Sequence, residues 1–194
     1  NHIKAYKGWI NIEGKKVRYD KCGNVMDVVV PTFGENLEFF FSYQVNYMYW
    51  RYFMWNFSGK QNDIQGVYTG NVRDGNWITG IPLVDNLIYG DQSQLPDSLK
   101  NNKANNKLFA LPFILGILGF VYNRKKRGDD AFTNLLMFFF TGFAIVLYLN
   151  QAGNQPRERD YAYVGSFYAF AVWIGLGVMA VISFLEKKIK PAVA

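Results

Sequence analysis

Four charged residues, Arg157, Glu158, Arg159 and Asp160, stand together just ahead of a long apolar run from Tyr161 to Leu185. The arginine guanidinium is planar, stays charged, and makes paired hydrogen bonds to phosphate oxygens. Two arginines at the mouth of a membrane-length apolar segment therefore suit an anionic group at the membrane face, such as a lipid phosphate. The competing reading is a solvated loop that stops one span and starts the next, with Glu158 and Asp160 neutralising the arginines. On a helix Arg157 lies one turn from Asp160 and Tyr161, and Arg159 one turn from Tyr163. Glu158 and Asp160 are too close in sequence, and point too differently on a helix, to act as the carboxylate pair of a glycoside hydrolase. Arg51 is a third candidate. In a helical projection it lies on the side of Gln44 and Trp55, away from the polar stripe. It suits either snorkelling to lipid headgroups or a bond to an anionic ligand or to a carboxylate elsewhere.

The elements that must position these groups follow from composition. The chain has 194 residues, half of them hydrophobic and 18% aromatic, with a net charge of +6. A mean hydropathy of −0.06 is too low for a chain that is all membrane. A membrane-embedded half joined to a polar half accounts for both. The basic excess sits largely in Arg124–Arg127 and in Lys187, Lys188 and Lys190, beside apolar runs. That placement fits membrane orientation rather than nucleic-acid binding. Cys22 and His2 are the only residues of their types, so neither an internal disulfide nor a zinc site is expected, and no cofactor is implied. The start at Asn1, with no signal-peptide pattern, reads as a piece of a longer protein.

Residues 1–34 read as a small polar β element. Trp9–Ile12 and Lys16–Tyr19 alternate, Glu13–Lys15 and Cys22–Asn24 offer turns, and Asp27–Val30 forms a strand before Pro31. Residues 35–58 lack Gly and Pro and predict an aromatic helix. Its polar stripe is Glu35, Glu38, Ser42, Asn46, Tyr49 and Asn56, and its Tyr and Trp content fits an interfacial helix or a half-buried one beside the spans. Residues 59–106 read as an outer-side loop region, in which Trp77–Ile78 and Ile81–Val84 resemble anchors dipping into the interface. The last part, 107–194 with the helix entering it, predicts three transmembrane helices near 104–122, 131–149 and 161–185. The basic 123–130 loop and residues 186–194 then lie in the cytoplasm, with 1–103 and 150–160 on the outer side. The fold class is a mostly α, polytopic membrane protein. Small residues at Gly165 and Ala169, and at Ala171 and Gly175, predict close helix packing.

Three stretches carry a resemblance: FFFSYQVNYMYWRYFMWNFSGKQNDIQG (39–66), NNKANNKLFALPFILGILG (101–119) and YLNQAGNQPRERDYAYVGSFYAFAVWIGLGV (148–178). They resemble a family of bacterial inner-membrane proteins described as protein O-mannosyltransferase-like, with the glycosyltransferase C-type membrane fold. The resemblance implies an enzyme that moves a sugar from a polyprenyl-phosphate carrier to Ser or Thr of an exported protein on the periplasmic side. Its other partners would be membrane lipids. The general base in such enzymes lies in an outer loop near the N-terminal spans, which this segment does not show, so the segment alone is expected to be inactive. Cleaving a sugar–phosphate bond leaves extra charge on the lipid phosphate, which fixed cations stabilise. Arg157, Arg159 and Arg51 are the residues placed there to do so. A non-enzymatic scaffold for an envelope complex is the alternative, and would use the aromatic helix to contact another protein. Spans with almost no charge speak against a transporter.

Overall fold

The structure is a computed structural model that describes residues 2–64, 73–153 and 160–189. The chain is mostly helical. It opens with a short helix, α1 (His2–Lys7), and a two-stranded antiparallel hairpin, β1 (Lys15–Lys21) and β2 (Asn24–Val30). Pairing of Lys21 with Asn24 leaves Cys22 and Gly23 as the turn, both with positive φ, as a tight two-residue hairpin requires. The expected strand at Trp9–Ile12 does not form. Trp9 instead lies 4.6 Å from the Tyr47 ring and 4.7 Å from that of Tyr43, and Ile10 is buried with Phe39 and Met48. Burial against an aromatic surface outweighs an alternating pattern that has no partner strand.

A single helical rod follows, made of α2 (Phe33–Phe39), a π-helical stretch (Phe40–Trp50) and α3 (Arg51–Phe57). Thr32 and Glu35 start it with a capping box. The Glu35 carboxylate also accepts the amides of Glu13 (2.7 Å) and Gly14 (2.9 Å), fastening the loop before the hairpin to the helix. Hydrogen bonds from Thr32 first, then from Gly14, hold its pKa down to about 2. In the π stretch the amide of Arg51 donates to Asn46, five residues back. A π turn rotates less per residue than an α turn. The stripe projected at α-helical pitch therefore drifts, and Tyr49, expected on the polar side, is buried.

The rod is half-buried rather than exposed along its length. Phe53, only 1% exposed, meets Phe113, Phe138, Phe167 and Phe170 with ring centroids between 4.8 and 6.5 Å away. These rings come from α6 (Leu111–Lys126), α7 (Gly128–Phe140) and α9 (Asp160–Ile189). Between the rod and α6 run β3 (Gly59–Lys60), α4 (Pro82–Tyr89), α5 (Asp97–Lys100) and β4 (Asn106–Lys107), with β3 and β4 paired. A short helix α8 (Phe143–Leu149) continues α7 after a break at Thr141 and Gly142.

Among the described residues two helical stretches are long and apolar enough to cross a membrane, Gly128–Leu149 and Tyr161–Lys188. The expected first span is different. Residues 104–110 are not helical, because Asn106 and Lys107 pair with β3 and Phe109 and Ala110 take left-handed conformations. Helix α6 starts at Leu111, with Pro112 in its first turn, and has 16 residues. The expected 123–130 loop shrinks to Arg127, since Arg124–Lys126 finish α6 and Asp129–Asp130 open α7. Basic residues at a helix C-terminus and acidic ones at an N-terminus both suit the helix dipole.

Helices α6 and α9 run parallel, with Gly116 against Phe170, Gly119 against Trp173 and Tyr122 near Ser183. Helix α7 runs antiparallel to them: Asn134 Nδ2 donates to the Ala169 carbonyl (2.9 Å), and Thr141 packs on Gly165. Gly165 and Ala169 thus form the expected small-residue contact, whereas Gly175 has open space around its Cα. The tightest contacts use Gly119 and Gly177, where an added Cβ would strike the carbonyls of Trp173 and Leu115. Replacing Gly119 with Ala should destabilise the folded protein by about 1–3 kcal/mol. Gly175→Ala should leave it unchanged or more stable by about 1 kcal/mol. Thermal unfolding in detergent checks the opposite signs.

Candidate functional site

The segment carrying the arginine pair leaves α8 at one end of the rod. Asn150 ends α8 in a left-handed conformation, a common helix stop. The next residues are gripped by the π stretch. Gln44, only 3% exposed, donates through Nε2 to Asn150 Oδ1 (3.0 Å) and to the Gln151 carbonyl (2.7 Å). Tyr43 Oη donates to the Ala152 carbonyl (3.2 Å). Gln151 Nε2 in turn donates to Tyr163 Oη on α9 (3.3 Å). Its buried Oε1 finds no hydrogen-bond partner among the described residues.

Gln44 and residues 150–153 line a cleft of about 410 Å³ that also takes in Tyr6, Asn36, Phe39 and Phe40. Tyr6 Oη donates to Asn36 Oδ1 across 2.7 Å. Burial, aided by the charge of Glu35, raises the Tyr6 pKa, which keeps the phenol a neutral donor. The cleft is polar on the side of Asn150 and Gln151 and aromatic on the side of Phe39 and Phe40. Arg157, Glu158 and Arg159 lie outside the described residues, which resume with Asp160 at the start of α9.

Arg51 is not brought to this end. It sits seven residues beyond Gln44, about 10 Å along a helix. It is 5% exposed, with its guanidinium 3.7 Å from the Tyr47 ring centre and 4.5 Å from that of Trp55. Its Nε donates to the Tyr47 carbonyl (3.1 Å) and an Nη to that of Gly75 (3.2 Å). The side chain turns into the protein rather than out to a surface. Trp55 is buried beside it and also donates to the Gly75 carbonyl, whereas Gln44 is buried against Asn150 and Gln151. Lys60 Nζ covers the same Trp55 ring at 4.1 Å, so cations and rings alternate through Tyr47, Arg51, Trp55 and Lys60.

Past the rod, buried amides organise the loop region. Asn62 Oδ1 accepts the amides of Gly75 (2.8 Å) and Ile64 (3.1 Å), and its Nδ2 donates to the Arg73 carbonyl (2.7 Å). Asp85 accepts from the Thr79 amide (2.7 Å), its hydroxyl (2.9 Å) and the Gly80 amide (2.8 Å). Asp63 accepts from Asn102 Nδ2 (2.8 Å) and serves the loop. Among the described residues no group of three His, Cys, Asp or Glu could hold a metal ion. No protein-family model, curated protein or solved structure matches the chain.

The sequence reading did not anticipate the grip of Tyr43 and Gln44 on residues 150–152. The available signal was a Gln on the aromatic side of a helix, since a buried carboxamide must find partners. Gln44→Leu should strand the Asn150 and Gln151 oxygens and cost about 1–3 kcal/mol. Hydrogen exchange should accelerate over residues 150–153 while the middle of α9 stays protected.

Proposed function

We propose that the chain is part of a multi-pass membrane glycosyltransferase that takes sugar from a polyprenyl-phosphate carrier and passes it to a hydroxyl of an exported protein. Three spans, with α6 as the first, and the bacterial inner membrane belong to this proposal. So does its sidedness, with residues 1–103 and 150–160 facing the periplasm. The reading draws on the long motifs shared in character with the O-mannosyltransferase-like family. Support comes from one structural observation above others: residues 150–153 are fastened to the buried rod, and Asp160 starts the longest apolar helix. Both ends of the segment bearing Arg157 and Arg159 are therefore held, one beside a cleft and one at the mouth of an apolar helix. An arginine pair carried by that segment suits the charge of a departing lipid phosphate. Arg51, enclosed by Tyr47 and Trp55, serves this account as a support for the rod rather than as a phosphate contact.

The scaffold reading asks the aromatic helix to bind another protein. Much of its aromatic surface is already covered by α6, α7 and α9, which favours the enzyme.

In the full-length protein, Arg157→Ala with Arg159→Ala should weaken polyprenyl-phosphate binding at least tenfold, the loss of one charged hydrogen bond or more. Sugar transfer should stop while membrane insertion is unaffected. Transfer at the original rate in this variant would remove the arginine pair from the mechanism.

A further inference from the structure

A second corner of the molecule, at the start of α6, combines exposed leucines with unpaired lysines. On α4, Leu83 is 82% exposed and Leu87 is 87% exposed. At i and i+4 they share one face of the helix. The opposite side is pinned, because Asp85 is buried and spends both oxygens on Thr79 and Gly80. Single exposed leucines are ordinary, but a matched pair on a rigidly held short helix is an apolar surface kept in water for a reason.

The position of α4 is fixed relative to the apolar helices. Gly80, just before it, has room for no side chain, since a Cβ there would come within 2.8 Å of Lys107. Ser58 ties both segments together: its hydroxyl donates to the Ile78 carbonyl (3.0 Å) and its carbonyl accepts from the Leu108 amide (3.1 Å). Helix α6 begins three residues after Leu108, with Phe109 and Leu111 both more than half exposed. The leucines of α4 thus stand at the end of the bundle where apolar chain begins.

Beside α4 lies an open cleft of about 550 Å³ whose wall includes Lys100 and Lys107. Neither lysine forms an ion pair among the described residues. The acid in the lining, Asp85, is already saturated. Asp91, outside the lining, is turned to Ser93 and Gln94, whose hydrogen bonds, those from Ser93 first, lower its pKa, with Lys100 contributing least. The lining carries two lysines against one carboxylate, next to an exposed apolar helix face, the pairing that binds an anionic membrane surface.

We propose that α4 lies in the headgroup layer of an anionic bilayer, with Leu83 and Leu87 entering the acyl boundary and Lys100 and Lys107 holding lipid phosphates in the adjoining cleft. This rests on the membrane part of the proposed function and is independent of sugar transfer. The test uses the full-length protein with Cys22→Ser, labelled with an environment-sensitive fluorophore at Leu87→Cys or, for comparison, at Met179→Cys in α9. The protein is placed in nanodiscs carrying spin-labelled phosphatidylcholine or phosphatidylglycerol. Spin-labelled lipid should quench both positions, and at Leu87 phosphatidylglycerol should quench better than phosphatidylcholine. Lys100→Gln with Lys107→Gln should reduce that preference roughly fivefold for each lysine. Quenching at Met179 without quenching at Leu87 overturns the proposal and leaves the membrane reading intact. Quenching at neither position overturns both. A lipid preference unchanged in the double lysine variant overturns the assignment of the cleft.

Discussion

The packing of Phe53 against rings from three other helices is the contact on which the architecture depends. Aromatic side chains bury large areas and gain further from edge-to-face geometry. Phe53 meets Phe170 at 74°, Phe138 at 81° and Phe113 at 82°, all edge arrangements. One side chain thereby joins the rod to α6, α7 and α9. The glycines of α6 and α9 make this possible by letting their backbones approach until Phe170 and Trp173 reach the rod. Between helices in an apolar environment, such close packing replaces the hydrophobic driving force that water would supply.

Two electrostatic designs follow from that rod. At one end, Gln44 and Tyr43 hold the segment that leads to the arginine pair, and Glu35 holds the loop ahead of the hairpin. At the other, Arg51 is screened by Tyr47 and Trp55 and bonded to backbone carbonyls. Burying a guanidinium is costly unless its donors are met, so this site is a structural commitment of the sequence. The π-helical stretch carries Tyr43 and Gln44, ends just before Arg51, and sets which side chains face inward. Its altered pitch brings Tyr43, Gln44, Tyr47 and Tyr49 into the interior together.

Much of this was legible before any coordinates. The hairpin turn at Cys22–Gly23, the helix from residue 35, and the apolar runs behind Gly128–Leu149 and Tyr161–Lys188 all follow from turn chemistry and periodicity, whereas Arg51, read as reaching lipid headgroups or an anionic partner, is buried on backbone carbonyls. The misreadings have two causes. Tyr49 turned inward through the altered pitch of the π stretch, while Trp9–Ile12 lost its strand and Lys107 joined a strand instead of a helix because a tertiary partner outweighed the local pattern. The role of Gln44 was hidden for a similar reason, since its partners lie more than 100 residues away. The capping box at Thr32 and Glu35 was a readable signature, but its second use, on Glu13 and Gly14, depended on how the hairpin docks.

The central claim is that the aromatic rod is packed inside the bundle, holding the 150–153 segment in place, and does not lie apart along a membrane surface. The most direct measurement is thiol cross-linking in membranes, in a Cys22→Ser background. Tyr52 and Phe167 stack with ring centroids 5.3 Å apart. Cysteines at these two positions should be joined efficiently by a short bifunctional reagent. A pair made from exposed Phe41 and Phe167 should not be joined. Failure of the 52–167 pair to link, with both cysteines reactive when tested singly, would contradict the packed rod and the anchoring of residues 150–152 that depends on it.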